Sequence, residues 1–255
     1  MKRTVLLIAA FICFAVAINA QKTYAIVMGV QDYDNPSFSL SNLHNTARDA
    51  KEMRKVLKKA GVEVALLTGK NVNRSTFNKK LQQLTQLVNQ NSMQDNVIIF
   101  FSGHGDDYAL CFWDGLYKYA EMFSLLNNMK AKNIFIFIDA CHSGSGGTVI
   151  TNNAGSVNPR MSFVSATRPS ESSIDDPFNE ICQGWFTQAM IKGIRGGSDT
   201  NRDRVITLIE LFKYIYNDVT ARASHYRGLS EGVLKVFHPQ LYAPSSMHGE
   251  AVVRW

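Results

Sequence analysis

Two short polar motifs, each closing an apolar run, carry the residues best suited to chemistry. Ser102-Gly103-His104-Gly105 follows Asn96 to Phe101, and Asp139-Ala140-Cys141-His142-Ser143-Gly144 follows Asn133 to Ile138. A histidine between two glycines sits on pliable backbone. A cysteine among small residues, just past an apolar run, lies beside that histidine if the two runs are neighbouring strands. An imidazole next to a thiol favours the thiolate, takes its proton and can hand that proton to a leaving amine. Backbone N–H groups in small-residue turns can hold the oxyanion of acyl transfer, with Gly105 and Cys141 as the candidates. A single cysteine or histidine at a strand end is most often inert. The pair on one sheet says more than either motif alone.

The elements that must position this pair follow from the spacing of apolar residues. Lys22 to Gly29, Val62 to Leu67, Asn96 to Phe101, Asn133 to Ile138 and Met161 to Ala166 read as buried strands. Thr46 to Lys59 has Ala47, Ala50, Met53, Val56 and Leu57 at helical spacing, and Gly61 ends that helix. Ser75 is expected to cap a helix carrying Phe77, Leu81, Leu84, Leu87 and Val88. Further helices are expected over Glu121 to Met129, Trp185 to Ile194 and Leu208 to His225, with a Gly/Ser/Asn-rich loop following the Cys141 motif, from Gly144 to about Asn158. Strands alternating with helices predict an α/β fold with a mostly parallel sheet covered on both faces. Ligands bind such sheets at the carboxyl ends of the strands, where both motifs lie.

The first 20 residues read as a secretory signal peptide rather than as fold. Lys2 and Arg3 precede an apolar run from Val5 to Ile18, and Ala17 and Ala20 place small residues before a cut at Gln21. That run is short of the roughly 20 residues a spanning helix needs. The expectation is a secreted or periplasmic chain of one domain, residues 21–255, that leaves the membrane once the signal is cut. Removing Lys2 and Arg3 takes the net charge from +6 to +4, and no arginine-rich run points to nucleic acid. Hydrophobic residues make up 45% of the chain, enough for a core and against disorder. Cys111, Cys141 and Cys182 remain after the cut, so at least one thiol is free; a Cys111–Cys182 disulfide is open.

Phe101-Ser102-Gly103-His104-Gly105 with Asp139-Ala140-Cys141-His142-Ser143-Gly144 resembles the signature pair of metacaspases and their bacterial caspase-like relatives. The two motif residues stand 37 positions apart, from 104 to 141, as in caspase-type enzymes. Caspases proper carry Gln-Ala-Cys-x-Gly at the nucleophile. Asp139 in place of that Gln, with His142 following, favours the metacaspase branch. Arg48-Asp49-Ala50 and Gly184-Trp185-Phe186-Thr187 extend the likeness along the chain. The resemblance implies a mostly parallel six-stranded sheet sandwiched by helices. It implies a cysteine endopeptidase of peptidase C14 type acting on peptides or proteins, with Cys141 as nucleophile, His104 as its partner and no cofactor in the chemistry. His142 is not the catalytic histidine of that family; it orients a loop or is a partly exposed polar residue.

The same resemblance implies cleavage after Arg or Lys, with Asp49, Ser102 and Asp139 matching the acidic pocket. Buried carboxylates can take a guanidinium in bidentate fashion. The family usually has a cysteine three residues before the first Asp, and here that position is Thr46. Many metacaspases also need calcium as an activator. Asp199, Asn201, Asp203 and Glu210 match the spacing of an EF-hand loop, with Arg204 where a glycine normally turns the chain. The plainer reading is a turn that caps the next helix, with Thr207 at the N-cap and Glu210 three residues on. Arg160 and Arg168 are candidate self-cleavage points. Two other readings stay open: a catalytically silent caspase-like binding or scaffold protein, and a calcium-binding module.

Overall fold

The computed structural model describes residues 21–91, 93–153, 155–173, 183–225 and 237–255. Its centre is a six-stranded sheet of β1 (Thr23–Gly29), β2 (Glu63–Thr68), β3 (Asn96–Ser102), β4 (Asn133–Asp139), β5 (Met161–Ser165) and β6 (Gln240–Tyr242). The spatial order is β6-β5-β4-β3-β1-β2, parallel throughout except for β6, which runs antiparallel to β5. The five parallel strands are those expected from the apolar runs, and β6 supplies the sixth. β3 and β4 are buried at every position, which is why they read as unbroken apolar runs.

Alternation along each strand divides the sheet between two cores. Ile26, Met28, Ile99, Phe101, Ile136 and Ile138 face one core. The helices α2 (Arg74–Gln90) and α3 (Tyr119–Asn127) close it. Ala25, Val27, Ile98, Phe100, Phe135 and Phe137 face the other. There α1 (Thr46–Lys59), α5 (Trp185–Lys192) and α6 (Leu208–His225) cover the sheet. Each fully buried Phe or Ile contributes on the order of 1.5–3 kcal/mol, so the central strands are the stable floor on which the site is built.

Local signals explain most helix ends. α1 has the expected bounds, and Lys58 and Lys59 complement the dipole of its last turn. The cap of α2 lies two residues before the one expected at Ser75. Asn73 Oδ1 takes the Thr76 N–H at 2.9 Å, so Asn73 is the cap and Ser75 lies inside the first turn. The expected loop after Cys141 is instead a helix, α4 (Gly144–Asn152). Its glycines are poor helix formers, yet side chains on Gly146 and Gly147 would collide with Phe163 and Tyr242. Packing against β5 and β6 decides the conformation there. Among the described residues no helix is long and apolar enough to cross a membrane.

Candidate active site

The register of the two central strands sets the geometry. Ser102 pairs with Asp139 across β3 and β4, at the carboxyl end of the sheet. His104 and Cys141 each stand two residues beyond that pair, on strands roughly 4.8 Å apart. Leu43, Thr46, Asp49, Ser102, His104 and Asp139 line one cavity of about 200 Å³ together with Cys141 and Ser173.

His104 is held from two sides. Its Nε2 lies 2.8 Å from the Ser41 carbonyl, which can only accept, so Nε2 carries the hydrogen and Nδ1 of the neutral ring is the basic nitrogen. Its backbone N–H donates to the Tyr33 hydroxyl at 2.9 Å, and that hydroxyl donates to the Cys111 carbonyl at 3.0 Å. The Tyr33 ring packs against the imidazole with centroids 4.9 Å apart. Burial pushes the Tyr33 hydroxyl up, so it remains a donor at any working pH. Sequence reading missed both Ser41 and Tyr33. The first acts through its backbone, and the second lies 71 residues from the histidine it positions.

Cys141 follows β4 and lies beneath the segment after β5. Its Sγ is 3.7 Å from the Ser173 carbonyl. Burial pushes the thiol up; hydrogen bonds from Ser173, Ser172 and its own N–H pull the other way without cancelling it, and Asp139 adds to the rise. In this resting arrangement the proton therefore sits on sulfur at neutral pH. Alkylation of Cys141 by iodoacetamide, followed by peptide mapping, is expected to climb about tenfold per pH unit between pH 7 and 9. A rate already flat at pH 7 would mean a preformed thiolate and would contradict this.

Gly105 backs onto Cys141, since a side chain there would meet the Cys141 carbonyl at 2.3 Å. It pairs with Leu110 in the non-hydrogen-bonded manner: Asp106 N–H donates to Ala109 O and Cys111 N–H to His104 O on either side. The Gly105 N–H therefore lies outside that ladder, so it is left over for the oxyanion role expected of it.

The three residues expected to form an acidic pocket, Asp49, Ser102 and Asp139, come together on the α1 and α5 side of the sheet. Asp49 and Asp139 are 1% and 6% exposed, so both carboxylates are buried at the cavity floor. Ser102 Oγ donates to Asp49 Oδ2 at 2.8 Å, and the Gly184 N–H donates to Asp49 Oδ1 at 3.0 Å. Asp139 Oδ2 accepts the Thr187 N–H and hydroxyl at 3.1 and 2.7 Å, and Ser173 Oγ donates to Oδ1 at 3.1 Å. Any side chain on Gly184 would press on both carboxylates, meeting Asp139 Oδ2 at 2.5 Å. Thr46, in place of the usual cysteine, donates to the Val30 carbonyl at 2.6 Å. Gly184 and Thr187 belong to the Gly-Trp-Phe-Thr stretch already singled out in the sequence, whereas Ser172 and Ser173 carried no signal.

The acidic loop behaves differently. Asp199 accepts the N–H groups of Asp203 and Arg204, and Asp203 accepts that of Val205. Asn201 Oδ1 takes the Asp203 N–H as well, while its Nδ2 donates to Asp203 Oδ2. Glu210 takes the Thr207 N–H and hydroxyl and the Thr200 hydroxyl. Thr207 and Glu210 thus form the capping box at the start of α6. Among the described residues no three His, Cys, Asp or Glu side chains converge to hold a metal; a calcium loop also draws on Asn side chains and backbone carbonyls, so calcium at Asp199, Asn201, Asp203 and Glu210 stands as an expectation. Cys111 is buried, and burial pushes its thiol up to about 12. Cys182, the other half of the disulfide left open above, lies outside the described residues, as does the expected signal segment, residues 1–20.

Comparison with known proteins agrees with this architecture. A protein of Geobacter sulfurreducens superposes with a TM-score of 0.63 at 15% identity, covering 92% of this chain and 100% of that one. Caspase-1 from Spodoptera frugiperda superposes with a TM-score of 0.63 at 19% identity, covering 88% of this chain and 86% of that one. Identities this low speak to the fold. No curated protein matches the chain by sequence. The family model of the caspase domain, however, matches residues 22–239, which span all five parallel strands, both motifs and both pocket carboxylates. The chain therefore belongs to the caspase-domain family of cysteine peptidases, peptidase C14.

Proposed function

We propose that this protein is an exported endopeptidase of metacaspase type that cuts peptide bonds after Arg or Lys through Cys141 and His104. The observation that carries the reading is the shared cavity. A thiol and an oriented imidazole stand at its mouth, and two buried carboxylates form its floor. A substrate guanidinium or ammonium entering there replaces the Ser173 hydroxyl on Asp139 and meets concentrated negative charge. An aspartate side chain would meet the same charge and be repelled.

The chemistry runs by acyl transfer. With Nε2–H given to Ser41, the free Nδ1 of His104 takes the proton from Cys141. The thiolate adds to the substrate carbonyl, and the oxyanion is held by the N–H groups of Gly105 and Cys141. The protonated imidazole gives its proton to the departing amine, leaving a thioester on Cys141. Water, deprotonated by the same imidazole, then releases the acid.

The test is hydrolysis of fluorogenic peptides ending in Arg, Lys, Asp or Ala by the chain from Gln21 onward, with and without calcium. Cleavage after Arg and Lys, at least about 100-fold over Asp, is expected from one buried charge reversal. Cleavage after Asp would retain the nucleophile and overturn the pocket. No cleavage of any peptide, with reductant and calcium present, would make the chain a silent member of its family.

A further inference from the structure

The segment after β5 is pinned to the nucleophile's loop by a cluster the mechanism above does not use. Glu171 Oε2 accepts the N–H groups of Arg168 and His238, both at 3.0 Å. Its Oε1 lies 2.7 Å from His238 Nδ1 and 3.8 Å from the Arg168 guanidinium. The Glu171 carbonyl accepts the His142 N–H at 2.8 Å. His142 Nδ1 lies 2.8 Å from the Pro169 carbonyl and 3.4 Å from Asp107. So the residue after the nucleophile offers both its backbone and its ring to the turn at 168–171. His142 does this from a left-handed conformation, φ 53°, which is uncommon for a residue with a side chain. The chain leaving this turn is Ser172-Ser173, which touches the Cys141 sulfur and the Asp139 carboxylate.

Glu171 therefore links three parts of the chain that meet only in the fold: the turn after β5, the approach to β6 and, through its carbonyl, the loop of Cys141. Burial pulls its carboxyl up, but hydrogen bonds from Arg168 and His238 outweigh this and hold it below the usual carboxylate range. The carboxylate is thus ionised wherever a peptidase assay would be run.

We propose that Glu171 is a positioning residue: by tying Arg168 and His238 together, its carboxylate fixes Ser172-Ser173 beside Cys141 and Asp139, along the line where a peptide must lie. This rests on the peptidase reading above. With the tie cut, the segment departs from the sulfur, the thiol becomes more accessible, and a peptide must order the segment as it binds.

The experiment compares wild type with Glu171→Ala and Glu171→Gln, each checked for native circular dichroism. Two readouts are taken: kcat and KM on an Arg-ending peptide, and the rate at which iodoacetamide labels Cys141, read by peptide mapping. Glu171→Ala is expected to raise KM about tenfold with a smaller change in kcat, and to label Cys141 several-fold faster. Glu171→Gln, which retains one acceptor oxygen in the same shape, is expected to fall between Ala and wild type. It also carries the test if the Ala variant fails to fold. Labelling and kinetic constants unchanged in a folded variant would overturn the proposal, as would a lower melting temperature with neither altered. If wild type cleaves no basic peptide, the peptidase reading has failed, and the labelling rates alone still decide whether the tie exists.

Discussion

Replacing Cys141 by Ala is expected to lower kcat/KM on an Arg-ending peptide by about 10⁴-fold or more, to the background of the assay. The reason is specific to the bond that forms. Without sulfur no thioester can exist, and the cavity retains only its ability to bind. His104→Ala is expected to lose about 10²–10⁴-fold, because Cys141 then has no acceptor for a proton that burial holds on the sulfur. The two losses should not add: a double variant is expected to be no worse than Cys141→Ala, since the residues act in one step. Cys111→Ala is the matched control. That thiol is buried against the aromatic side chains of its core and its acidity is suppressed, so activity should survive its removal. Equal loss from both cysteine variants would point to damage to the fold rather than to chemistry.

The second large effect is expected at the cavity floor. Asp139→Asn should lower kcat/KM on an Arg-ending peptide by at least about 2 kcal/mol, close to 30-fold, with most of the change in KM. The substitution preserves shape and removes the charge that a guanidinium would pair with. It also brings an amide N–H₂ to a site where Thr187 and Ser173 both donate, so some stability is lost as well. The decisive quantity is therefore the ratio of Arg to Ala cleavage, which a loss of folded protein leaves unchanged. Asp49→Asn should move that ratio in the same direction, since Asp49 accepts from Gly184 and Ser102 at the same cavity floor as Asp139. A ratio unmoved by both variants would mean that the carboxylates are structural.

Much of this site can be read from the sequence because its residues sit in stretches with strong local signals. β3 and β4 are apolar at nearly every position, and the motifs begin where that pattern stops. The bounds of α1 follow from its amphipathic spacing, and with them the inward face that carries Asp49. What escapes is of two kinds. The Ser41 carbonyl that orients His104 and the Ser173 carbonyl near Cys141 are backbone groups, which any residue supplies. The helix over Gly144–Asn152 runs against its own composition and forms because Phe163 and Tyr242 fill the space its glycines leave. Glu171 and His238 lie 67 residues apart, and nothing near either one marks the pairing.

The equal reach of His104 and Cys141 beyond the Ser102–Asp139 pair makes this site tolerant of some changes in length and intolerant of others. Removing one residue from β3 or β4 would draw its motif back by about 3.3 Å and turn the reactive side chain to the opposite face of the sheet. No substitution nearby could repair that, because the error is one of counting and not of chemistry. The connection between the two strands is constrained at its start, where Leu110 and Cys111 pair with the turn of His104 and Gly105 and the Cys111 carbonyl holds the Tyr33 hydroxyl. It carries the antiparallel ribbon of Ala109–Phe112 and Gly115–Lys118 and then α3, and its ends are fixed by the strands themselves. Past that pairing a change of length need not shift either motif, while each strand must keep its number of residues if the two side chains are to meet.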